Sequence, residues 1–166
     1  MRPPKVNAWY GWVPDRPDYR DKLFSSIAAP PKKLPNKVDL RRNCSGVEDQ
    51  GQLGSCTANA LVGNLEFLEC LAEGYPLVFG FSVYEAFEGD EVARTGKLNL
   101  PEPSEKQLGG HAVMAVGYDD SAERVLVRNS RGTDWGMKGY FTMPYDYISN
   151  DNLADDLWTL RGIENA

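Results

Sequence analysis

The chain has 166 residues, 42% of them hydrophobic, enough to build the core of one domain or of two small lobes and too many for a disordered chain. Its formal net charge of -6 argues against a nucleic-acid binder, which needs a basic face or stripe. No segment approaches the ~18 apolar residues of a membrane span, and no signal-peptide core follows Met1-Arg2-Pro3-Pro4.

The expectation is a soluble protein without a nucleic-acid or membrane partner; the compartment stays open, with the cytoplasm favoured. Three cysteines cannot all pair within one chain, so at least one thiol stays free or pairs between chains.

Residues 1–36 hold seven of the eleven prolines, together with Trp9, Tyr10 and Trp12, which predicts an extended arm wrapped on the surface. Two roles fit such an arm: a strap packed by its aromatics, or an inhibitory segment lying over a cleft. From Ser55 the apolar residues Ala58, Leu61, Val62, Leu65, Leu68 and Leu71 recur at three and four, which predicts a helix ended by Gly74-Tyr75-Pro76.

Strands are expected at 77–84, 112–118, 125–127 and 139–143, rich in β-branched and aromatic residues and separated by turn formers such as Asp119-Asp120-Ser121. They read as an antiparallel sheet. The stretch from Gly89 to Gly110 shows no period and is expected to be a rim loop. The acidic tail around Asp155-Asp156 reads as a solvated face; it has no metal-ligand spacing.

In Gln50-Gly51-Gln52-Leu53-Gly54-Ser55-Cys56 a glycine-punctuated loop delivers a cysteine to the first turn of the predicted helix. Unpaired N–H groups there concentrate positive potential and favour a thiolate. An isolated cysteine is more often a small buried hydrophobe, and Cys44 and Cys70, which lack this setting, are read as packed thiols or a pair. Six residues before Cys56, the Gln50 amide can turn toward the same point and, with the Cys56 N–H, stabilise an oxyanion.

The only histidine is His111, in Gly109-Gly110-His111-Ala112-Val113, so a base titrating near neutrality has one candidate. The paired glycines suit the floor of a cleft, where another chain approaches closely. Asn129 closes the strand around 125–127, and the hairpin through Asp119-Asp120-Ser121 would set it beside His111, its amide carbonyl fixing the tautomer.

Three strings, DQGQLGSCTANA, GGHAVMAVGY and VRNSRGTDWGMKGYFTMP, resemble the papain and cathepsin family of cysteine peptidases, more closely its bacterial and viral branch. The resemblance covers roughly residues 38–166. It implies an α+β fold with a helical lobe, about 50–74, an antiparallel β lobe, about 76–166, and the arm at 1–36 outside the catalytic domain. By resemblance the catalytic residues are Cys56, His111 and Asn129, with Gln50 in the oxyanion hole. Gly54, Ser55, Gly109, Gly110, Ala112 and Trp135 complete the set facing a peptide, although Trp135, beside a glycine turn, is expected chiefly to pack. The implied activity is hydrolysis of peptide bonds in a peptide or protein substrate through a thioester acyl-enzyme, with no cofactor.

The chain departs from the family pattern at four places. Thr57 stands where the signature has Trp or Tyr, as in the bacterial branch. Leu53 stands where many relatives carry a disulfide cysteine, consistent with a reducing compartment. Arg131 replaces a tryptophan that covers the His–Asn hydrogen bond, which should leave that bond more open to water and lower activity. Cys56 and His111 are 55 residues apart (111 minus 56), against ~130–150 in the family.

A middle segment near Phe67 to Cys70 is therefore expected to be absent, shortening the helical lobe, opening the site and exposing apolar helix surface that favours homo-oligomers. A shortened relative that binds peptides or regulates with little turnover is the rival reading. Acyl transfer to an amine by the same thiol is a third.

Overall fold

The computed structural model describes residues 10–14, 16, 35–49 and 76–158. The expectations for Gln50, Gly54, Ser55, Cys56, Cys70, the helix from Ser55, the shortened segment near Phe67 and the apolar surface for self-association lie outside the described residues.

Among the described residues, six strands form one sheet. They are β1 (Lys37–Asp39), β2 (Leu77–Tyr84), β3 (Gln107–Asp119), β4 (Arg124–Arg128), β5 (Tyr140–Pro144) and β6 (Ala154–Trp158). Their order is β5-β4-β3-β2-β6, and β1 pairs with the end of β3, Lys37 opposite Asp119. All pairings are antiparallel.

Both faces of the sheet are covered, which explains why β2 reads as an unbroken apolar run rather than an alternation. Phe79, Phe81 and Val83 join Val113, Val127, Phe141 and Met143 in one core, closed by Phe87, Val92, Leu98 and Tyr147. Val78 faces the other side with Ala112, Met114, Val116 and Tyr140. Tyr140 and Phe141 thus send their rings to opposite faces, as successive strand residues must.

The stretch from Gly89 to Gly110, expected to be a loop, is only partly one. It holds α1 (Asp90–Thr95), and β3 already begins at Gln107. Six residues are too few for a helical period to show, and only Val92 is buried. Asp90 and Glu91 suit its first turn, and Gly96 ends it in the left-handed region (φ 65) while donating to the Val92 carbonyl at 2.8 Å.

A second short helix, α2 (Tyr145–Ile148), follows β5. The acidic tail is not merely a solvated face, because β6 runs through it and pairs with β2, Gly80 opposite Asp155 and Phe81 opposite Ala154. Two adjacent aspartates on an outer strand mask its strand character.

The turn between β3 and β4 is fixed by Asp119, which accepts from Ser121 N–H at 3.1 Å and pairs with Lys37 Nζ of β1. Lys37, then Ser121, hold its carboxyl down to about 2. The folded value lies below the unfolded one, so this stabilisation is present at neutral pH and is lost as pH falls toward 2. Asp119→Asn should therefore flatten the loss of stability between about pH 4 and pH 2, measured by urea unfolding at stepped pH. Equal acid sensitivity in both proteins would show that the pair is not coupled to folding.

Candidate active site

His111 lies inside β3, three residues before Met114, whose partner across the ladder is Arg128 of β4. Asn129, the next residue, therefore falls diagonally across from the imidazole on the same face. His111 Nε2 and Asn129 Oδ1 are 2.9 Å apart in a buried hydrogen bond. Ser130 N–H donates to the same Oδ1 at 2.9 Å, which identifies that atom as the oxygen.

An amide oxygen only accepts, so Nε2 must carry the hydrogen, and in the neutral ring Nδ1 is then the lone pair. That nitrogen is buried and has no hydrogen-bond partner among the described residues. The pair therefore presents an oriented proton acceptor, unengaged among the described residues. The Asn129 N–H donates to Gly139 O at 2.9 Å, anchoring the end of β4 to the loop before β5.

The environment differs from an open cleft floor. His111 is 1% exposed and Asn129 3%, and the imidazole sits among the rings of Tyr10, Phe81 and Phe87, with centroids 5.8, 5.8 and 6.1 Å away. The expectation that Arg131 leaves the His–Asn bond open to water is overturned. Its guanidinium lies over the Tyr10 and Phe87 rings, at 5.8 and 5.3 Å, and binds both carboxylate oxygens of Glu88 at 2.5 and 3.0 Å. A planar, delocalised cation of that size can cover what an indole would.

Gly109 and Gly110 do meet another piece of chain. A Cβ on Gly109 would stand 2.9 Å from the Tyr10 Cβ, and one on Gly110 would stand 2.4 Å from the Trp12 ring. Trp12 N–H donates to Gly110 O at 3.2 Å, and its indole Nε1–H donates to Asp156 at 2.8 Å. The indole also lies across Gly80, where a Cβ would be 1.7 Å from it. Tyr10 and Trp12 thus occupy the approach that the two glycines open.

Ala112 is buried beside Val78 and Met114 and lines a cavity of about 20 Å³ shared with Arg128, Asn129 and Ser130. Trp135 packs on Phe87 and Phe141, at 5.4 and 5.7 Å, and its carbonyl accepts from Gly139 N–H at 2.7 Å. Cys44 is a free, half-buried thiol, its Sγ directed at the Leu40 carbonyl, and burial raises its pKa. The expected partner, Cys70, lies outside the described residues.

Asp49 bridges Arg131, and Gly132 N–H donates to Glu48 O at 2.9 Å. Glu48 and Asp49 therefore run beside the segment that follows Asn129. Sequence reasoning missed Tyr10 and Glu88 as parts of this site; neither sits in a motif, and only their distant partners give them meaning.

The profile of papain family cysteine proteases matches residues 71–157, a stretch that includes His111 and Asn129. The chain belongs to the papain family of cysteine proteases, and its fold is the α+β papain-like one. It is 45% identical over 93 residues to an uncharacterized peptidase C1-like protein of Acanthamoeba polyphaga mimivirus, covering 56% of this chain and 30% of that one. It is 38% identical over 81 residues to a cathepsin B-like protein of Giardia intestinalis, covering 45% and 24%. The chain thus spans less than a third of either curated relative.

Among solved structures it is similar to xylellain, a cysteine protease from Xylella fastidiosa. The TM-score is 0.77 and the identity 28%, over 95% of this chain and 97% of that one. Bromelain protease from Ananas comosus shares the fold at a TM-score of 0.53 and 17% identity, over 76% and 99%.

Asn129→Ala should leave a buried imidazole N–H unsatisfied and cost about 1–3 kcal/mol of stability, read from urea unfolding at neutral pH. A change near zero would show that the hydrogen bond is not a structural constraint.

Proposed function

We propose that the protein is a cysteine peptidase in which Cys56 is the nucleophile, His111 its base, Asn129 the residue that fixes the base, and Gln50 an oxyanion donor. The observation that carries this reading is the buried Nε2–H···Oδ1 bond, which leaves Nδ1 as an oriented acceptor. Membership of the papain family supports it.

In the reaction the Cys56 sulfur attacks the scissile carbonyl carbon while its proton resides on His111 Nδ1. The carbonyl π electrons move to oxygen, where the Gln50 amide and the Cys56 N–H stabilise the charge. Collapse expels the amine, which takes the proton from Nδ1 and leaves a thioester. Water, deprotonated by the same nitrogen, then attacks the thioester, releases the acid and restores the thiol. Asn129 keeps Nε2–H bonded throughout, so the charged and neutral rings hold one orientation. The substrates are peptides or proteins, and no cofactor takes part.

A thiol-directed peptide electrophile, read by mass spectrometry, tests this assignment. Cys56 should be labelled far faster than Cys44 or Cys70, and Cys56→Ala and His111→Ala should abolish that selectivity. Slow and equal labelling of all three thiols would sink the peptidase reading and favour a peptide-binding protein of low turnover.

Within this proposal the arm, residues 1–36, serves as an inhibitory segment. Support comes from Tyr10 and Trp12, which lie on the glycine floor next to His111. Trp12→Ala removes the indole and its bond to Asp156. If docking weakens by ~1.4 kcal/mol, labelling of Cys56 should accelerate about tenfold. An unchanged rate would identify the arm as a packing strap only.

A further inference from the structure

We infer that Arg131 is a positioning residue for the His111–Asn129 pair: clamped to Glu88 and lying over the Phe87 and Tyr10 rings, it keeps water from their hydrogen bond and holds the imidazole in one orientation. This rests on the proposed peptidase reading only for its effect on turnover; the physical claim concerns the hydrogen bond itself.

Arg131 and Glu88 side chains are 11% and 16% exposed, so the pair is largely desolvated. Burying an ion pair is costly, and apolar residues of similar size commonly give equal or better stability. A pair kept in such a place calls for a reason other than stability. Geometry supplies one, because the two rings under the guanidinium, Tyr10 and Phe87, are two of the three that enclose the imidazole.

Arg131 is also tied down on every side. Its Nη2 donates to the Tyr10 hydroxyl at 2.9 Å, its guanidinium grips Glu88 at both oxygens, and its backbone bridges Asp49. Two residues upstream stands Asn129, whose Oδ1 accepts from both Ser130 N–H and His111 Nε2–H. Motion of the 129–131 segment would therefore disturb the acceptor directly.

Arginine suits this role where lysine would not. A flat guanidinium stacks on rings and chelates a carboxylate at once, whereas an ammonium is a compact, strongly hydrated charge. Lysine at this position would bring water with it.

The single histidine makes the test unambiguous, since a sample labelled with nitrogen-15 histidine gives one imidazole spin system. The rate at which His111 Nε2–H exchanges with water reports the cover without requiring catalysis. In the full chain this proton should exchange slowly.

In Arg131→Ala it should exchange about tenfold faster or more, the factor that ~1.4 kcal/mol of lost protection gives. Arg131→Lys, which keeps the charge and the fold if the alanine variant does not, should also speed exchange. Under the peptidase reading, both variants should lower kcat more than they raise KM.

Exchange in both variants as slow as in the parent would overturn the proposal, whatever happens to stability. Faster exchange in a protein that never labels Cys56 selectively would leave the positioning role intact and remove the peptidase reading. Selective labelling with unchanged exchange would do the reverse.

Discussion

A single hydrogen bond between His111 and Asn129 sets the terms for the rest of the molecule. An imidazole N–H donating to an amide oxygen at 2.9 Å, with both residues nearly inaccessible to solvent, fixes which ring nitrogen is free and which way it faces. The sheet holds those two side chains diagonally across neighbouring strands. The rings of Phe81 and Phe87 restrain the imidazole, while the Ser130 N–H restrains the amide from its own end.

Two pieces of chain distant in sequence converge on this pair. Tyr10 and Trp12 come from the proline-rich arm and fit against glycines at 80, 109 and 110, where any side chain would collide. Glu48 and Asp49 run beside Gly132 and Arg131 on the way to Gln50. Arg131 stands where these pieces meet. Tyr10, Trp12, His111 and the Glu48–Asp49 segment are thereby mechanically connected, and a change at Tyr10 or Trp12 has a short physical route to the imidazole.

Much of the sheet was legible in the sequence because its strands are buried on both faces and declare themselves as apolar runs. β2 was read at its observed bounds, and the Asp119-Asp120-Ser121 hairpin fell where its Asp-rich turn chemistry placed it. β1, α1 and β6 were not legible. Three residues of an outer strand, six of a helix with one buried side chain, and a strand carrying two aspartates are all too weakly patterned to be seen before their partners are known.

In the site, His111 and Asn129 could be paired from chain order and hairpin geometry, since both lie on strong elements. The cover over them could not. Reading Arg131 as a hole in the site treated a charge as necessarily wet, whereas Glu88 neutralises it and two rings dry it. Glu88 lies 43 residues from Arg131, beyond the reach of any local pattern.

The central claim is that His111 Nδ1 serves Cys56. A crystal structure of the protein carrying a covalent peptide electrophile tests it most directly. The account predicts the adduct on Cys56 Sγ, with Nδ1 within hydrogen-bonding reach of the reacting centre, about 3 Å, and Asn129 Oδ1 still bonded to Nε2. An adduct on Cys44 or Cys70, or an imidazole turned so that Nδ1 cannot approach the Cys56 sulfur, would contradict it.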